Sequence, residues 1–322
     1  MTEETKFSTR LAAWWHGYDA DEYANWKAQQ EGDPDAPDYD ETVVVPHDVA
    51  KDPEPDDDPD LRWPPNRLAM TQKLFGRGYT FPGGEKGVVS MVKPLGLAPE
   101  NSFVDFSVGL GGPGTTLVER FGIWVTGFEM DEELVAAAKT TLKTLKGGER
   151  VKVSHFDPAS SEMRPRAFDN VLCLDALYRT EEKTRAVDLF KHVAKDWGSI
   201  LFTDLVKTSD APPSKKLKAW MEGTGHACSF WRKEQYEELL RDLQLDVRVV
   251  EDISKSKSEQ VRDSFKDFLA AVKESGGLQD KPKAKKHLMK EAEHWARLAS
   301  LLESGELANF RFFAIKRGEA DG

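Results

Sequence analysis

The chain has few cysteines, no long apolar run and no excess of basic charge, and each absence excludes a class of protein. Only Cys173 and Cys228 occur among 322 residues, too few for a disulfide framework or a zinc site. No segment approaches the about 18 consecutive apolar residues of a transmembrane helix. The opening sequence, MTEETKFSTR, lacks the apolar segment of a secretory signal. We therefore expect a cytoplasmic protein with no metal site and no transmembrane segment.

The net charge of −11 comes almost entirely from one segment. Residues 31–60 hold thirteen acidic residues and one lysine, so the rest of the chain is close to neutral. A general nucleic-acid binder would show a basic face, and no nucleic-acid partner is expected. The acidic segment is also rich in proline, a composition typical of a flexible linker. We predict an aromatic arm followed by this linker over residues 1–61.

Residues 102–131 have the pattern of a strand, a glycine-rich turn, a helix and a second strand. Ser102–Val108 is short, apolar and rich in Phe and Val, which is typical of a strand covered on both faces. The turn that follows holds four glycines between positions 109 and 114, which allow the backbone to approach a ligand closely. Glu129 follows the second strand, about 20 residues beyond the turn, where an acid binds ribose hydroxyls in nucleotide-type sites. The stretch predicts a site for a nucleotide-type cofactor.

Two cofactor families share this plan. The spacing of Gly109, Gly111 and Gly114 fits a nicotinamide site, so a nicotinamide oxidoreductase is one alternative. The sequence VDFSVGLGG, with Asp105 inside the strand, closely resembles the first motif of class I S-adenosylmethionine-dependent methyltransferases. That motif reads hydrophobic-Asp-hydrophobic-Gly-x-Gly-x-Gly, and Ser107 replaces its first glycine. The oxidoreductase is disfavoured because no second catalytic constellation accompanies the loop.

Three other segments strengthen the resemblance. FDNVLCLDAL at 168–177 and GSILFTDLV at 198–206 resemble the fourth and fifth strands of the family, and GRGYTFPGG at 76–84 resembles the lid ahead of the core. The lid is similar to that of the glycine, sarcosine and dimethylglycine methyltransferases and of the cyclopropane-synthase-like group. The resemblance implies an α/β fold with a doubly wound, mostly parallel sheet of seven strands.

The organisation that we predict has three parts. The first is the arm and linker of residues 1–61. The second is a methyltransferase core over residues 62–253 and 310–318. The third is a helical insertion over residues 254–309, which lies outside the resemblance and shows helical periodicity twice.

The resemblance implies S-adenosyl-L-methionine as the cofactor. The cofactor contacts are assigned from the glycine-loop motif and from the acids that follow the second and third strands. Asp157 is the residue expected to accept a hydrogen bond from the adenine amino group. The full set of expected cofactor residues is Asp105, Ser107, Gly109, Gly111, Glu129, Met130, Asp157 and Pro158.

The loop after the fourth strand is expected to lie beside the transferred methyl group. The candidate catalytic residues of this loop are Asp175, Tyr178 and Arg179. Many relatives carry a histidine here, and because Tyr178 or Arg179 stands in its place, a histidine general base cannot be carried over. The candidate substrate residues are Tyr79 and Phe81 of the lid and His226 of a polar segment at 207–231.

Methyl transfer from a sulfonium is an in-line displacement in which the cofactor carries the reactive group. The protein mainly aligns the acceptor and excludes water, and alignment alone can supply about 7 kcal/mol or more. The resemblance therefore implies methyl transfer to a small-molecule or lipid acceptor. The alternative is a non-catalytic, cofactor-binding relative that acts as a partner or regulatory subunit, which Ser107, Arg179 and the acidic linker permit. Either reading is compatible with a homo- or hetero-oligomer.

The acidic linker is expected to contribute little to folding, because it can bury little apolar surface. Deletion of Asp33–Asp60 should leave the melting temperature within a few degrees of that of the full chain, as measured by thermal denaturation of both proteins. A large fall in melting temperature would instead show that the small apolar island Val43–Val45 is docked in the core.

Overall fold

This computed structural model describes residues 61–274 and 282–318. The predicted arm and acidic linker, up to residue 60, and residues 275–281 of the predicted insertion lie outside the described part. Within the two described ranges, no helix is both long and apolar enough to cross a membrane.

Seven strands form a single sheet. Their bounds are β1 Ser102–Asp105, β2 Trp124–Glu129, β3 Val151–His155, β4 Phe168–Leu174, β5 Ala194–Lys207, β6 Asp246–Asp252 and β7 Leu307–Ile315. The spatial order is β3-β2-β1-β4-β5-β7-β6. The first five strands pair in parallel, and β7 runs antiparallel between β5 and β6. The predicted seven-stranded, mostly parallel sheet is confirmed.

Nine α-helices lie within the described residues. Their bounds are α1 Pro65–Phe75, α2 Gly84–Met91, α3 Gly112–Phe121, α4 Glu132–Thr141, α5 Lys183–Val193, α6 Lys215–Thr224, α7 Lys233–Asp242, α8 Ser254–Glu274 and α9 Pro282–Glu303. The helices α3 and α5 bury their apolar faces on opposite sides of the sheet. Neighbouring strand residues alternate accordingly, since Phe103 belongs to the apolar cluster on one face and Val104 to the cluster on the other. Helices therefore cover both faces of the sheet.

The first strand is shorter than the apolar pattern predicts. It was expected to reach Val108 but ends at Asp105. The Asp105 carboxylate accepts hydrogen bonds from the backbone N–H of Ser107 at 2.8 Å and from its hydroxyl at 2.7 Å. A side chain that bonds the backbone two residues further on closes a turn, so the polar pair ends the strand and begins the glycine loop.

The fifth strand is longer than predicted, because Trp197 and Gly198 do not form a turn ahead of it. The backbone of Trp197 donates to Lys316 O at 2.8 Å, and Lys316 N donates to Gly198 O at 2.9 Å. These bonds extend the antiparallel pairing beyond Ser199–Ile315 to Trp197, and Ala194 at the start of β5 pairs with Phe168 of β4. Trp197 adopts a φ of +65° and leaves 71% of its surface exposed at that edge.

The polar segment at 207–231 contains a helix, α6, that its lysine-rich sequence did not reveal. Ser214 caps this helix by accepting from Leu217 N at 3.1 Å. Leu217 and Trp220 are buried and pack against α9 residues such as Leu298. The helix is stabilised by this tertiary burial rather than by the propensity of its own residues.

The predicted insertion forms a cover over the carboxyl ends of the strands. Helices α8 and α9 pack against each other and against α1. Phe75 of α1 makes edge contacts with Phe265 of α8 at 6.0 Å and with Trp295 of α9 at 5.5 Å between ring centroids. The first helix of the described chain thus packs on the two helices that precede β7.

The lid segment touches the glycine loop through backbone atoms. Gly112 N, at the start of α3, donates to Gly78 O at 2.9 Å. A Cβ built on Gly112 would lie 2.6 Å from that carbonyl group. Next to it, the Tyr79 hydroxyl bonds with Thr116 at 2.7 Å inside the core. The contact requires glycine at position 112 because no side chain fits between the two backbones.

We predict that Gly112→Ala destabilises the protein by about 1–3 kcal/mol, because the added methyl group overlaps the Gly78 backbone. Helix propensity alone would favour alanine by about 0.5–1 kcal/mol, so the sign of the change separates the two effects. Gly87→Ala in α2 is the matched control, since its Cβ would meet only the Gln260 side chain at 3.6 Å. Urea denaturation measures the free energy of unfolding of both variants and of the parent. Equal stability of Gly112→Ala and the parent would contradict the tight contact.

Candidate active site

A cavity of about 380 Å³ lies at the carboxyl ends of β1, β2, β4 and β5. Its floor is the glycine loop and the loop after β4, and its walls come from the lid, α6, α8 and α9. In doubly wound sheets, ligands bind in the crevice outside the carboxyl ends of the strands. The cavity is therefore in the position of a cofactor and substrate site.

The structure brings eight of the predicted site residues together around this cavity. They are Phe81, Ser107, Gly109, Glu129, Asp175, Tyr178, Arg179 and His226. These residues come from five separate segments, so their convergence follows from the topology and not from their spacing in sequence.

Three predicted residues near the glycine loop lie outside the cavity lining. Asp105 is buried beneath Ser107. Gly111 is the N-cap of α3, and a Cβ there would strike the side chain of Leu142 at 2.5 Å. Tyr79 is directed into the core by its bond with Thr116. These three residues support the glycine loop and the lid without lining the cavity.

The other three predicted cofactor residues also lie beyond the lining. Asp157 stands at the tip of β3 and uses both carboxylate oxygens within its own turn, on Ala159 N and the Ser160 hydroxyl. Pro158 beside it is buried. Met130 packs against an apolar cluster on one face of the sheet. The structure thus separates the acid after β3 from the residues around the cavity.

Glu129 accepts three hydrogen bonds and is only 2% exposed. Its Oε1 accepts from Arg179 Nη1 at 3.0 Å and from Asp131 N at 3.1 Å. Its Oε2 accepts from Gly109 N at 3.2 Å. Burial by itself would lower the pKa of Arg179, but the Glu129 carboxylate outweighs it and the pKa is raised. Arg179 is therefore a cation in this pair.

Ser107, which replaces a glycine of the family motif, joins two strands. Its hydroxyl donates to Asp105 Oδ1 and accepts from Leu174 N at 2.7 Å. Burial, and to a lesser degree the nearby Glu129, raises the pKa of Asp105 to about 7. Among the described residues, the second oxygen of Asp105 has no hydrogen-bond partner. The serine thus satisfies one oxygen of a carboxyl group that is costly to ionise.

Asp175 is held by residues that the sequence analysis did not identify. Its φ is +48°. Its Oδ1 accepts from Thr203 Oγ1 and from Asn309 Nδ2, both at 2.7 Å, and its Oδ2 accepts from Lys257 Nζ at 2.6 Å. Burial would raise the pKa of Asp175, but the Lys257 ammonium and the hydrogen bonds outweigh it and the pKa lies below its ordinary value. Asp175 is therefore a carboxylate, and Lys257 brings a cation from the insertion to the cavity.

His226 lies between an arginine and an aromatic ring. Arg62 Nη2 lies 3.3 Å from His226 Nε2, and Arg62 Nη1 forms a 2.9 Å ion pair with Asp131. Since arginine can only donate, Nε2 is the acceptor and Nδ1 carries the proton. Burial, then Arg62 and Arg179, lower the pKa of His226 to about 3. The imidazole is neutral near pH 7 and lies with its centroid 5.9 Å from that of Tyr178.

Arg62 and its neighbours were missed because no motif marks them. Trp63 Nε1 donates to Asp131 at 2.9 Å, and the Arg67 guanidinium lies 4.2 Å from the centroid of the Trp63 ring. Arg67 in turn pairs with Glu291 of α9 at 2.6 Å. The arginines and the tryptophan of RWPPNR at residues 62–67 are the sequence signal that could have identified this side of the cavity.

No family model matches the sequence. Phosphoethanolamine N-methyltransferase 3 of Arabidopsis thaliana is 24% identical over 181 residues, which are 56% of this chain and 36% of that protein. Glycine/sarcosine/dimethylglycine N-methyltransferase of Actinopolyspora halophila is 26% identical over 129 residues, which are 39% of this chain and 22% of that protein. The matches thus span about a third or less of these relatives.

Solved structures share the fold at low sequence identity. Phosphoethanolamine N-methyltransferase 2 of Haemonchus contortus, in complex with phosphomonomethylethanolamine and S-adenosylhomocysteine, superposes with a TM-score of 0.66 at 19% identity, over 80% of this chain and 60% of that one. The [4+2]-cyclase SpnF superposes with a TM-score of 0.60 at 19% identity, over 79% of this chain and 93% of that one.

The strand order, with β7 antiparallel between β5 and β6, defines the class I, Rossmann-like methyltransferase fold. The resemblance stated from the sequence is confirmed. The chain is similar in sequence and in fold to S-adenosylmethionine-dependent methyltransferases, among them phosphoethanolamine N-methyltransferases.

The low pKa of His226 predicts a loss of stability in acid. The folded-state pKa of about 3 lies below the unfolded value of about 6.5, so the native state binds fewer protons than the unfolded state between these limits. Its contribution is present above about pH 6.5 and is lost as the pH falls toward 3. The melting temperature of the parent should therefore fall more steeply than that of His226→Gln between about pH 7 and pH 4. Parallel curves at constant ionic strength would contradict the buried, neutral imidazole.

Proposed function

We propose that the chain is an S-adenosylmethionine-dependent methyltransferase for a small amine that carries an anionic group. The observation that carries the proposal is Glu129, a buried carboxylate at the tip of β2 that faces the cavity beside the backbone of Gly109. A carboxylate at this place can accept bonds from ribose hydroxyls, and the sequence and structural relatives are methyltransferases of this kind.

The residues present fit the proposed cofactor at its ribose and along the glycine loop. Gly109 has a φ of +54°, and a Cβ built on it would meet only the Thr80 hydroxyl, at 3.5 Å, so the backbone is open to a close approach. Ser107 and Leu174 line the same floor. The bound cofactor would supply a methyl group on a positively charged sulfur. The chain's own part is to hold the acceptor in line and to exclude water.

The other half of the cavity suits an amine. Asp175 is a carboxylate with three donors already bound, which leaves room for about one more of the roughly four that a carboxylate accepts. Tyr178 and Phe81 lie beside it, and burial raises the pKa of Tyr178, so the phenol is neutral. Asp175 can therefore orient an amine between two aromatic rings. No strong base is required if the amine reaches the site in its neutral form.

The remaining wall suits an anion. Arg62 and Arg179 both line the cavity, and guanidinium groups bind carboxylate and phosphate in a fixed geometry. Phosphoethanolamine and sarcosine combine an amine with such an anion, and both occur in the names of relatives. We therefore propose a phosphorylated or carboxylated small amine as the acceptor class.

A second reading is a relative that binds the cofactor but does not transfer its methyl group. The observation that favours it is the Arg179–Glu129 ion pair, which occupies the acid expected to bind the ribose. The fold itself does not decide between the two readings, because a [4+2]-cyclase shares it. A turnover assay separates them.

The test combines binding with turnover. Calorimetry with S-adenosylmethionine, S-adenosylhomocysteine and NAD should show binding of the first two only. Glu129→Ala should weaken that binding roughly ten- to a hundred-fold, since a charge-assisted hydrogen bond contributes about 1.5–3 kcal/mol. Glu132→Ala is the matched control, because Glu132 is an exposed acid in the same turn. Unchanged affinity in a folded Glu129→Ala protein would overturn the cofactor site.

Turnover is measured by mass spectrometry of phosphoethanolamine and of sarcosine incubated with the protein and S-adenosylmethionine. A methylated product is the result expected for an enzyme. Binding of the cofactor with no product from any amine, lipid or thiol acceptor would favour the non-catalytic reading.

A further inference from the structure

The hydrogen bonds of Glu129 leave too little room for a ribose. A carboxylate offers about four acceptor positions, two on each oxygen. Oε1 already accepts from Arg179 Nη1 and from Asp131 N, and Oε2 accepts from Gly109 N. About one position is therefore open, whereas the two hydroxyls of a ribose need two. One of the present donors has to leave when the cofactor binds.

Only one of the three donors can leave without unfolding the site. Gly109 N belongs to the glycine loop, and Asp131 N belongs to the residue that caps α4 by accepting from Glu133 N and Leu134 N. Both N–H groups are fixed by local structure. The third donor is at the end of the Arg179 side chain, which has several rotatable bonds. Cofactor binding therefore displaces Arg179.

The backbone that carries Arg179 is anchored, so only its side chain moves. Tyr178 N donates to the buried Asp204 at 2.8 Å, and Arg179 N donates to Ala176 O at 3.1 Å. The only hydrogen bond that the Arg179 side chain makes to the described residues is the one to Glu129. A side-chain rotation is thus sufficient to release the guanidinium into the cavity.

The other carboxylates around the released guanidinium already have cationic partners: Asp175 pairs with Lys257, Glu251 with Arg311 and Glu291 with Arg67. Arg62 lines the same cavity, and its pKa is lowered by burial and then by Arg179. His226, next to Arg62, is neutral. The Asp131 carboxylate is already bonded to Arg62 and Trp63. A partly buried, unpaired cation is costly, and an anionic ligand would remove that cost.

We propose that the cofactor displaces Arg179 from Glu129 and that the freed guanidinium then binds the anionic group of the acceptor. This inference rests on the proposed function. It adds that the two ligands bind in order, because the anion site forms only when the cofactor is bound. The shared chemistry of the acceptor group is a phosphate or a carboxylate. Arg179 thus couples the two halves of the cavity and is a specificity-determining residue for a charged acceptor.

The first experiment measures binding of S-adenosylhomocysteine by calorimetry. Arg179→Met removes the competing donor and leaves Glu129 free, so the affinity should rise by about ten-fold. Arg67→Met is the matched control, because Arg67 lines the same cavity but pairs with Glu291, and its effect on the affinity should be much smaller. Weaker binding by Arg179→Met than by the parent, or equal binding, would overturn the exchange.

The second experiment measures binding of phosphoethanolamine and, in a separate arm, of sarcosine, with and without saturating S-adenosylhomocysteine. The parent should bind one of the two at least about ten-fold more tightly when S-adenosylhomocysteine is present. Thermodynamic linkage requires that this acceptor raise the affinity for S-adenosylhomocysteine by the same factor. Arg179→Met should lose this coupling, and Arg179→Lys should retain part of it. Equal affinities with and without S-adenosylhomocysteine in both arms would overturn the proposal.

The outcomes distinguish this inference from the proposed function. If the parent binds S-adenosylhomocysteine without coupling to either acceptor, the exchange is wrong and the cofactor site stands. If coupling is found but no methylated product forms, the exchange stands and methyl transfer is wrong. If the parent does not bind S-adenosylhomocysteine, both are wrong.

Discussion

The architecture of the site depends on one buried carboxylate. Glu129 accepts hydrogen bonds from the glycine loop, from the turn after β2 and from the loop after β4. An unpaired buried charge is strongly unfavourable, so the three segments are held where they can satisfy it. The same constraint gives the acid its functional value, since a carboxylate that is already desolvated binds a ligand's hydroxyls without a further cost of dehydration.

The sequence predicted the parts of the fold that local pattern determines. The strand–glycine turn–helix unit was recognisable because its apolar residues, glycines and acid fall within about 30 consecutive positions. Asp131, the last residue of this stretch, caps the following helix through its side chain. The site was only partly predictable, because much of it is built by distant segments. Lys257 and Asn309 reach Asp175 from 82 and 134 residues away, and no spacing in the sequence relates them.

The departures from the family pattern have physical explanations in this structure. Ser107 takes the place of a glycine because its hydroxyl bonds both Asp105 and the backbone of β4. Arg179, where many relatives have a histidine, pairs with the acid after β2. In this chain each departure makes a polar contact: Ser107 links Asp105 to the backbone of β4, and Arg179 links the loop after β4 to the end of β2.

The position of β7 has a consequence for how the chain folds. This strand fills the space between β5 and β6 but comes about 100 residues after β5 in the chain. Until residues 307–315 are synthesised, β5 has an unpaired edge next to buried apolar residues such as Ile200 and Phe202. Long-range pairing of this kind slows folding, and an open, apolar edge invites association with other chains. The helices α8 and α9, made in that interval, therefore have to fold without closing the gap that β7 will enter.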